Sequence, residues 1–436
     1  MALENPLDSA PMSPQHWKLF TIISMSLLLD GVLFSLVPIT LYLIPDLSSK
    51  ASLILMLNSF SFMLGSLTFG LLTDRVGRRM GLIFSLSIYT VSTALFALLA
   101  YAGSLRLLEA ALLSSAINYG IGAEVGPSYA ALSELMPARH RGKLLMLALN
   151  FWNVGAAIMA SLSLFYTELT SDLSTVMLYT LLTAILLSLI VFIARLHIPE
   201  SPRWLILRGR LSEANSIIER FTGSRLQMNA VAEEGIGLMS ALKSYAGRMA
   251  ILVAVVTVQL ITYNLPSYYV PYSPGFPFGA DSAPIIVAVS NLGASLGALP
   301  FIVLIDRSRK IALFSSFLFG TLTSLFILAA SNFGAFLHFI LALFVNMIFS
   351  EWAYGSVAVL EAELFPTGMR ASAAGFITAV AWLTNTLIVG SMALLSASIV
   401  LSLNSAVWSL GAIASAYWLL RGRETARRSL EEASRR

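Results

Sequence analysis

Acidic side chains interrupt long apolar segments at a few places in this sequence. Asp30 lies in the first such segment, and Glu124 and Glu351 lie in two others. Ionisable residues are costly inside a membrane, and carboxylates there are typical of proton relays. Asp30 is about 13 residues into its segment, which is near the middle of a spanning helix. We therefore predict Asp30 and Glu124 as proton-binding candidates, with a structural, hydrogen-bonding role as the alternative for each.

A second group of polar residues lies in the stretch VQLITYNLPSYYVPY. Gln259 and Asn264 carry amides, which donate and accept hydrogen bonds and so suit ligands rich in hydroxyl groups. Tyr268 and Tyr269 follow, and Pro266 is expected to interrupt the helix and free backbone groups. This stretch is the first candidate for substrate binding. A packing helix with a belt of interfacial tyrosines is the alternative.

Further polar and aromatic residues in apolar segments are candidates for lining the same site, although each taken alone also suits ordinary packing. They are Asn150, Asn153, Asn291, Trp352, Trp382 and Asn385. Apart from residues at segment ends, no Lys or Arg lies inside an apolar segment, so a bound anion would lack a partner. Neutral polyols or cations are favoured as ligands.

The composition predicts that these residues belong to an all-α polytopic membrane protein. Of the 436 residues, 57% are hydrophobic and 11% are charged, whereas soluble domains carry about 25% charged residues. A spanning helix needs about 20 mostly apolar residues. Segments of this length that are apolar on every side predict helices and not barrel strands. The twelve predicted spans are 18–44, 51–73, 80–102, 107–133, 143–167, 173–197, 247–271, 283–305, 310–331, 333–362, 370–394 and 397–420.

Positive charges predict the orientation of the chain. With both termini on one side, every Lys and Arg except Lys50 and Arg106 falls on that side, which must be the cytoplasm. The net charge of +4 thus reflects topology, and we expect no nucleic-acid partner. The N-terminus lacks the basic region of a signal peptide. We expect a monomer that crosses the cell membrane many times, with cytoplasmic termini.

Matching motifs indicate two related halves. GPSYAALSELMPARHRG, which begins at Gly126, aligns without gaps with GSVAVLEAELFPTGMRA, which begins at Gly355. LLTDRVGRRMGLIF, which contains Asp74, is repeated as VLIDRSRKIALF, which contains Asp306, but the second copy lacks the glycine at Gly77, so its turn must differ. The predicted parts are a tail at 1–17, a six-helix half at 18–197, a linker with short helices at 198–246, a second half at 247–420 and a tail at 421–436. Ser212 is the expected N-cap of a linker helix.

These motifs resemble the major facilitator superfamily, in which two six-helix halves are related by an axis along the membrane normal. LLTDRVGRR resembles the loop after its second helix. PESPRWLILRGR resembles the sequence after the sixth helix of sugar porters and their organic-ion relatives, and GIGAEVGP resembles the fourth helix of metabolite–proton symporters. The spacing from Gln259 to Tyr269 matches a sugar porter pattern. The resemblance covers about residues 18–420.

The resemblance implies that charged loops hold the halves together on the cytoplasmic side while the outside is open. Positive-inside anchoring is the alternative role for these loops. The network is expected to contain Asp74, Arg75, Arg78, Arg79, Glu134, Arg141, Glu200, Arg203, Asp306, Arg307, Glu363 and Arg370. The resemblance also implies that Asp30 is the proton site, but three positions depart from the sugar porter pattern. Ser114 stands where an arginine would pair with Asp30, and Leu149 and Val258 stand where glutamines are usual.

The sequence favours a secondary transporter that moves a small polar solute, first a sugar or similar polyol, together with protons. A proton-coupled carrier of organic cations, drugs or other metabolites is the alternative, and a receptor or scaffold on the same fold is more remote. The chain has no nucleotide-binding loop, no metal-ligand cluster, four histidines and no cysteine, so we expect no enzyme activity and no cofactor.

Overall fold

Long helices make up most of the chain in the computed structural model, which describes residues 6–224, 244–305, 307–366, 369–426, 428 and 433, without the side chains of 45, 138, 302, 370, 371 and 393. Twelve long helices run through these ranges. They are α1 (Pro14–Thr40), α2 (Ala51–Val76), α3 (Arg78–Tyr101), α4 (Leu107–Leu135), α5 (Ala138–Leu169), α6 (Leu173–Arg195), α7 (Ala246–Asn264), α8 (Ala283–Ile305), α9 (Arg309–Asn332), α10 (Phe336–Glu363), α11 (Arg370–Ser391) and α12 (Ala397–Arg421).

Eleven of these helices are long and apolar enough to span a membrane. The remaining one, α4, has 29 residues but carries Glu109, Glu124 and Glu134, which lower its hydropathy. It packs against α2 and α3 and is as long as its neighbours. The prediction of an all-α protein with twelve spanning helices is confirmed.

Helices α1 and α10 begin at residues other than those predicted, and a local contact or turn explains each difference. Helix α1 begins at Pro14, earlier than predicted, because the backbone of Ser13 bonds to the ring of His16 in a capping box. Helix α10 begins at Phe336 and not at residue 333. Gly334, with φ of +65°, forms the turn that separates α9 from α10.

Two faces of the helix bundle are distinguished by the chain ends. Asp8, before α1, contacts Arg141 at the start of α5, and Glu424, after α12, contacts Arg309 at the start of α9. Because consecutive long helices alternate in direction, both chain ends and the linker emerge on the same side, which we call the terminal face. The other side is the opposite face.

Helices α1–α6 form one half and α7–α12 the other. Between the halves, the main contacts join α2 to α11 and α5 to α8. Within the first half, α1 and α5 approach each other backbone to backbone. A Cβ atom at Gly31 would meet the carbonyl of Trp152, and one at Gly155 would meet the carbonyl of Leu28. Small residues allow this close approach of membrane helices, and α2 and α4 share a similar glycine seam.

Short helices in the linker lie against the terminal face. They span Pro202–Leu207 and Leu211–Thr222, and residues 225–243 of the predicted linker lie outside the description. The second helix buries Ala214, Ile218 and Phe221 on one side. Its N-cap is Arg210 and not Ser212, because the helix begins at Leu211, two residues earlier than a Ser212 cap predicts.

Helix α7 loses its regular form at the point where Pro266 was expected to interrupt it. The α-helix ends at Asn264 and continues as a π-helical turn over Leu265–Tyr269, followed by a 3-10 turn over Val270–Tyr272. Proline has no N–H for the helical ladder, and π turns often mark functional sites. The interruption places Asn264 at the last regular position of the helix.

Candidate functional site

A cavity lies between the two halves at the middle of the bundle. Both halves contribute polar and aromatic side chains to its wall. The polar and aromatic lining residues are Asp30, Phe34, Phe62, Tyr129, Trp152, Asn153, Gln259, Tyr263, Asn264, Glu351, Tyr354, Glu361, Thr378 and Trp382. Polar groups set in a mostly apolar and aromatic wall are typical of small-molecule sites.

Aromatic rings close the cavity toward the opposite face. Phe62 of α2 stacks on Trp382 of α11, with ring centroids 4.0 Å apart. Phe34 of α1 packs on both Trp382 and Trp152, at 5.7 and 5.3 Å between centroids. Since Phe34, Phe62 and Trp152 belong to one half and Trp382 to the other, this layer joins the halves above the cavity.

Three of the predicted amides face the cavity. Gln259 and Asn264 of α7 and Asn153 of α5 are at least 95% buried and line the wall. The amide nitrogen of Asn264 has no hydrogen-bond partner in the described structure. It therefore offers a free donor to a ligand. Tyr263, which the sequence analysis missed, donates to Asn153 at 3.1 Å and holds that amide in place.

Six other predicted candidates lie outside the cavity lining. Tyr268 bonds to Asn291 behind Tyr263, and Tyr269 bonds to both Ser59 and Asn385 across the two halves. The remaining two are engaged elsewhere. Asn150 donates to the carbonyl of Ser295, and the indole of Trp352 donates to the carbonyl of Gly297 at 2.7 Å.

Three carboxylates line the cavity, and each has an oxygen without a hydrogen-bond partner in the described structure. These oxygens are Asp30 Oδ1, Glu351 Oε1 and Glu361 Oε1. The other carboxylate oxygen of Glu351 accepts from Asn153 at 2.7 Å. No Lys, Arg or His is part of the described cavity wall. The cavity is therefore acidic and lacks a lining cation.

Glu124 does not reach the cavity, because Arg195 holds it inside the first half. Arg195 is the last residue of α6, and its fully buried guanidinium pairs with Glu124 and donates to Ser26 at 2.8 Å. Tyr89 donates to the same carboxylate at 3.1 Å. The charges of Arg195 and Glu124 also act on Asp30.

Arg195 was missed because the sequence places it at a helix end. The position predicted to lack the usual arginine, Ser114, instead donates to Asn58 at 2.8 Å. Asp30 nevertheless has a positive charge in its surroundings, since Arg195 provides a buried guanidinium from a different helix.

Contacts between the halves also lie on the terminal-face side of the cavity. The hydroxyl groups of Tyr129 on α4 and Tyr354 on α10 share a short hydrogen bond. Nearer the terminal face, Ser372 of α11 donates to Asp74 of α2 at 2.5 Å. With the aromatic layer on the other side, the halves touch both above and below the cavity.

A group that we call the N-half clasp surrounds Arg78, which is 2% exposed. Its guanidinium pairs with Asp74 at 3.2 Å and with Glu134 at 3.0 Å. Glu200 of the linker accepts from the backbone N–H groups of Arg78 and Arg79, at 2.8 and 3.3 Å. A carboxylate at a helix N-terminus satisfies free donors there, so Glu200 fastens the linker to α3.

Arg141 lies in a separate ion-pair group. It pairs with Asp8 of the N-terminal tail, which also pairs with Arg203 of the linker at 2.7 Å. Burial raises the pKa of Asp8, but the charges of Arg203 and Arg141 outweigh burial and hold that pKa below its ordinary value. Asp8 is therefore ionised at neutral pH and bridges two arginines. The sequence analysis gave this tail no role.

The second half repeats the arrangement, which we call the C-half clasp. Arg309, not Arg307, pairs with Glu363 at 3.2 Å, and Thr425 donates to Glu363 at 2.7 Å. Glu424 accepts from the backbone of Arg309 at 3.0 Å, as Glu200 does from Arg78. The repeat thus extends to the segments ESPR and ETAR that follow the last helix of each half.

The turn of the second clasp differs from the first, as predicted from the missing glycine. Gly77 has a φ of +102°, whereas Ser308 is extended and caps α9 by accepting from the backbone of Ile311 at 3.2 Å. Arg75 and Arg307 are exposed. Of the other predicted residues, Asp306 and the side chain of Arg370 lie outside the description.

We expect Asp74→Asn to favour forms that are open at the terminal face. The change removes the negative charge that holds both Arg78 and the hydroxyl of Ser372. A hydrogen bond to a charged group contributes about 1.5–3 kcal/mol, so the open population should rise roughly tenfold or more. The measurement is the distance between α2 and α11 from a pair of spin labels on introduced cysteines. Because the chain has no cysteine of its own, no other site is labelled.

Ser372→Ala is the matched control, since it removes the bond between the halves and leaves the pair with Arg78. It should shift the same distance in the same direction by a smaller amount. Distance distributions that match wild type in both variants would show that this contact does not hold the terminal face closed.

Comparisons with known proteins agree with this architecture. The Escherichia coli inner membrane metabolite transport protein YgcS is 26% identical over 388 residues, 86% of this chain and 83% of its own. The Bacillus subtilis arabinose-proton symporter is 25% identical over 344 residues, 72% of this chain and 71% of its own. Arabidopsis thaliana probable polyol transporter 3 is 25% identical over 399 residues, 82% of this chain and 77% of its own.

Solved structures show the same fold. The xylose transporter XylE from E. coli, in a partially occluded inward open conformation, superposes with a TM-score of 0.76 at 19% identity, over 95% of this chain and 99% of that chain. The proton:xylose symporter XylE bound to 6-bromo-6-deoxy-D-glucose gives a TM-score of 0.74 at 19% identity, over 96% and 98%. The sequence model of the family described as "Sugar (and other) transporter" matches residues 18–436, and the chain belongs to that family.

Proposed function

We propose that this protein carries a sugar or a similar polyol across the cell membrane together with protons, by alternating access. The observation that carries the proposal is Asp30, a 98% buried carboxylate at the wall of the central cavity, with one oxygen free of partners. Carboxylates buried inside spanning helices are typical of proton relays. The cavity beside Asp30 has the amides and rings that a polyol needs.

The cavity chemistry supports a hydroxyl-rich ligand. Gln259, Asn264 and Asn153 present donors and acceptors from two helices of different halves. The rings of Phe62 and Trp382 offer a flat apolar surface for the C–H face of a sugar. Relatives whose names specify a substrate include an arabinose-proton symporter and polyol transporters, and these names favour the same class.

The contacts above and below the cavity supply the two gates of such a cycle. The aromatic layer would part to admit substrate and proton from the opposite face. Separation of Tyr129 from Tyr354 and of Asp74 from Ser372 would then release them at the terminal face. Rigid-body rocking of two halves about a central site is how transporters with this kind of internal repeat work.

We propose that the terminal face is cytoplasmic. It carries the basic loops, the linker and both chain ends, and basic loops remain on the cytoplasmic side. A single chain lines the whole described cavity, so we also propose that the monomer is the transporting unit. Protease cleavage of the linker from outside intact cells would contradict the orientation.

Removal of the cavity amides tests the ligand site. We expect Gln259→Ala and Asn264→Ala each to weaken binding by about 1–3 kcal/mol, because a bound hydroxyl would lose its partner. The measurement is thermal stabilisation of purified protein by L-arabinose, D-xylose and sorbitol, since a ligand of the folded state raises apparent stability.

Asn346→Ala is the control for these variants. Asn346 is a fully buried amide on α10 that donates to Gly320 and Thr323, outside the cavity lining. This variant should be less stable and yet retain the full ligand-induced shift. Equal ligand-induced shifts in wild type and both cavity variants would place the binding site elsewhere.

A carrier of organic cations is the second candidate, and one observation favours it. Three carboxylates line the described wall, with aromatic rings and no lining cation. Cations bind well to such combinations of negative charge and aromatic faces. Thermal stabilisation of the protein by tetraethylammonium or choline, without stabilisation by the polyols, would identify organic cations as the substrate class.

A further inference from the structure

We propose that Glu361 is a second proton-binding carboxylate, which receives a proton while the terminal face is closed and releases it there when that face opens. The proposal rests on the proposed function and extends it, since it assigns two protons to each transport cycle. Glu361 takes no part in either clasp, in the aromatic layer or in the amide group described above.

The position of Glu361 on α10 points it into the cavity. It is 4% exposed and lines the wall, and its Oε1 atom has no partner in the described structure. It follows Tyr354 by seven residues, two helical turns on the same side of the helix. Two residues later, Glu363 belongs to the C-half clasp, so Glu361 marks the boundary between the cavity and the terminal face.

Glu361 differs from the other two lining acids in its surroundings. Arg195 acts on Asp30, and Asn153 donates to Glu351. Glu361 Oε1 has no hydrogen-bond partner in the described structure, and no Lys, Arg or His belongs to the described wall beside it. An ionised carboxylate left without a partner in such a place costs several kcal/mol, and a bound proton removes that cost.

The groups that face Glu361 are acids and phenols. Its charge acts on Tyr129 of α4 and on Tyr354 of α10, and both phenols also experience the charge of Asp30. On α7, the guanidinium of Arg248 donates to the carbonyl of Leu364, one residue past the end of α10. Like charges that share a poorly solvated space disfavour joint ionisation, and no lining cation of the described wall offsets its three carboxylates.

The tyrosine pair separates the two acids along the membrane normal. Glu361 is about 10 Å nearer the terminal face than Tyr354, at 1.5 Å per residue. When the halves separate on that side, water reaches Glu361 first. The O–H bond of its carboxylic acid then breaks, the proton passes to water at the terminal face, and the carboxylate remains. A proton admitted from the opposite face restores the acid in the closed form.

Infrared difference spectroscopy of purified protein in lipid tests for the proton directly. Wild type should show the carbonyl band of a protonated carboxylic acid at neutral pH, and Glu361→Gln should lose one component of it. Glu168→Gln is the matched control, because Glu168 is exposed at the end of α5 and its substitution should leave the band unchanged. A band that is identical in Glu361→Gln and wild type would overturn the proposal.

A proton count in proteoliposomes tests whether that proton takes part in transport. The ratio of protons to solute is read from reversal potentials, with whichever of L-arabinose, D-xylose and sorbitol wild type accumulates. It should fall from two in wild type to one in Glu361→Gln. An unchanged ratio, with the infrared component lost, would make the proton structural and overturn the coupling role.

Failure of the proposed function has a different signature. Uptake without any proton movement in wild type would contradict proton symport, and accumulation of none of the three solutes would contradict the substrate class. Neither result alters the infrared comparison, which alone would then decide whether Glu361 carries a proton.

Discussion

Asp30→Asn protein is expected to bind its substrate and exchange it across the membrane, but to accumulate it far less than wild type does. Asparagine has the shape of a protonated aspartate and cannot release a proton, so the substituted carrier behaves as if position 30 were always protonated. Counterflow of labelled solute in proteoliposomes should persist at a rate within about tenfold of wild type, a factor that corresponds to about 1.4 kcal/mol. The accumulation ratio under an imposed pH difference should fall from the wild-type value to the lower value that the single proton on Glu361 supports.

The comparison with Glu124→Gln sharpens this test. Glu124 is paired with Arg195 and lies outside the cavity wall, so its substitution should leave the response to the pH difference in place even if the protein is less stable. A pH response that survives in Asp30→Asn and disappears in Glu124→Gln would move the proton site to Glu124. Wild type without any pH response would make the protein a facilitator.

Arg195→Met is expected to produce the largest loss of stability of any single substitution discussed. The change removes a fully buried guanidinium that holds Glu124, Ser26 and the carbonyl of Leu82. Breaking a buried ion pair by removing one partner costs about 3–5 kcal/mol, because the other charge is left without compensation. The thermal unfolding midpoint in detergent should fall accordingly.

The double variant Arg195→Met with Glu124→Gln separates the two causes of this loss. If the cost comes from the uncompensated carboxylate, neutralising Glu124 should recover most of the stability, since replacing both partners is far less costly than removing one. A double variant as unstable as Arg195→Met alone would show that the bonds to Ser26 and Leu82, rather than the ion pair, provide the stabilisation.

The helical architecture followed directly from the sequence because segment length and apolar character determine which segments span a membrane. The site was harder to predict because helix spacing does not show which helices meet. Gln259 and Asn264 line the cavity as expected, but the π turn at Leu265–Tyr269 changes the phase of the residues that follow. Tyr269 consequently faces α2 and α11 rather than the cavity.

The missed residues share a physical cause. Arg195 has the sequence signature of a helix-end anchor, and only the packing of α6 beside α1 and α3 shows that this end is buried. Asp8 belongs to a polar tail without periodicity, so nothing in its neighbourhood indicates that two arginines converge on it. Both act through contacts between residues more than 70 positions apart in the chain, and a single sequence carries no signal for those.

The glycine seams within the first half have a mechanical consequence. Helices whose backbones touch, as α1 and α5 do at Gly31 and Gly155, have no compliant side chains between them, and packed interfaces deform in steps rather than continuously. The two helices therefore move as one rigid unit, which carries Asp30 on α1 and Asn153 on α5. Protonation of Asp30 and ligand contact at Asn153 thus act on the same rigid unit. Either event shifts both helices together or neither.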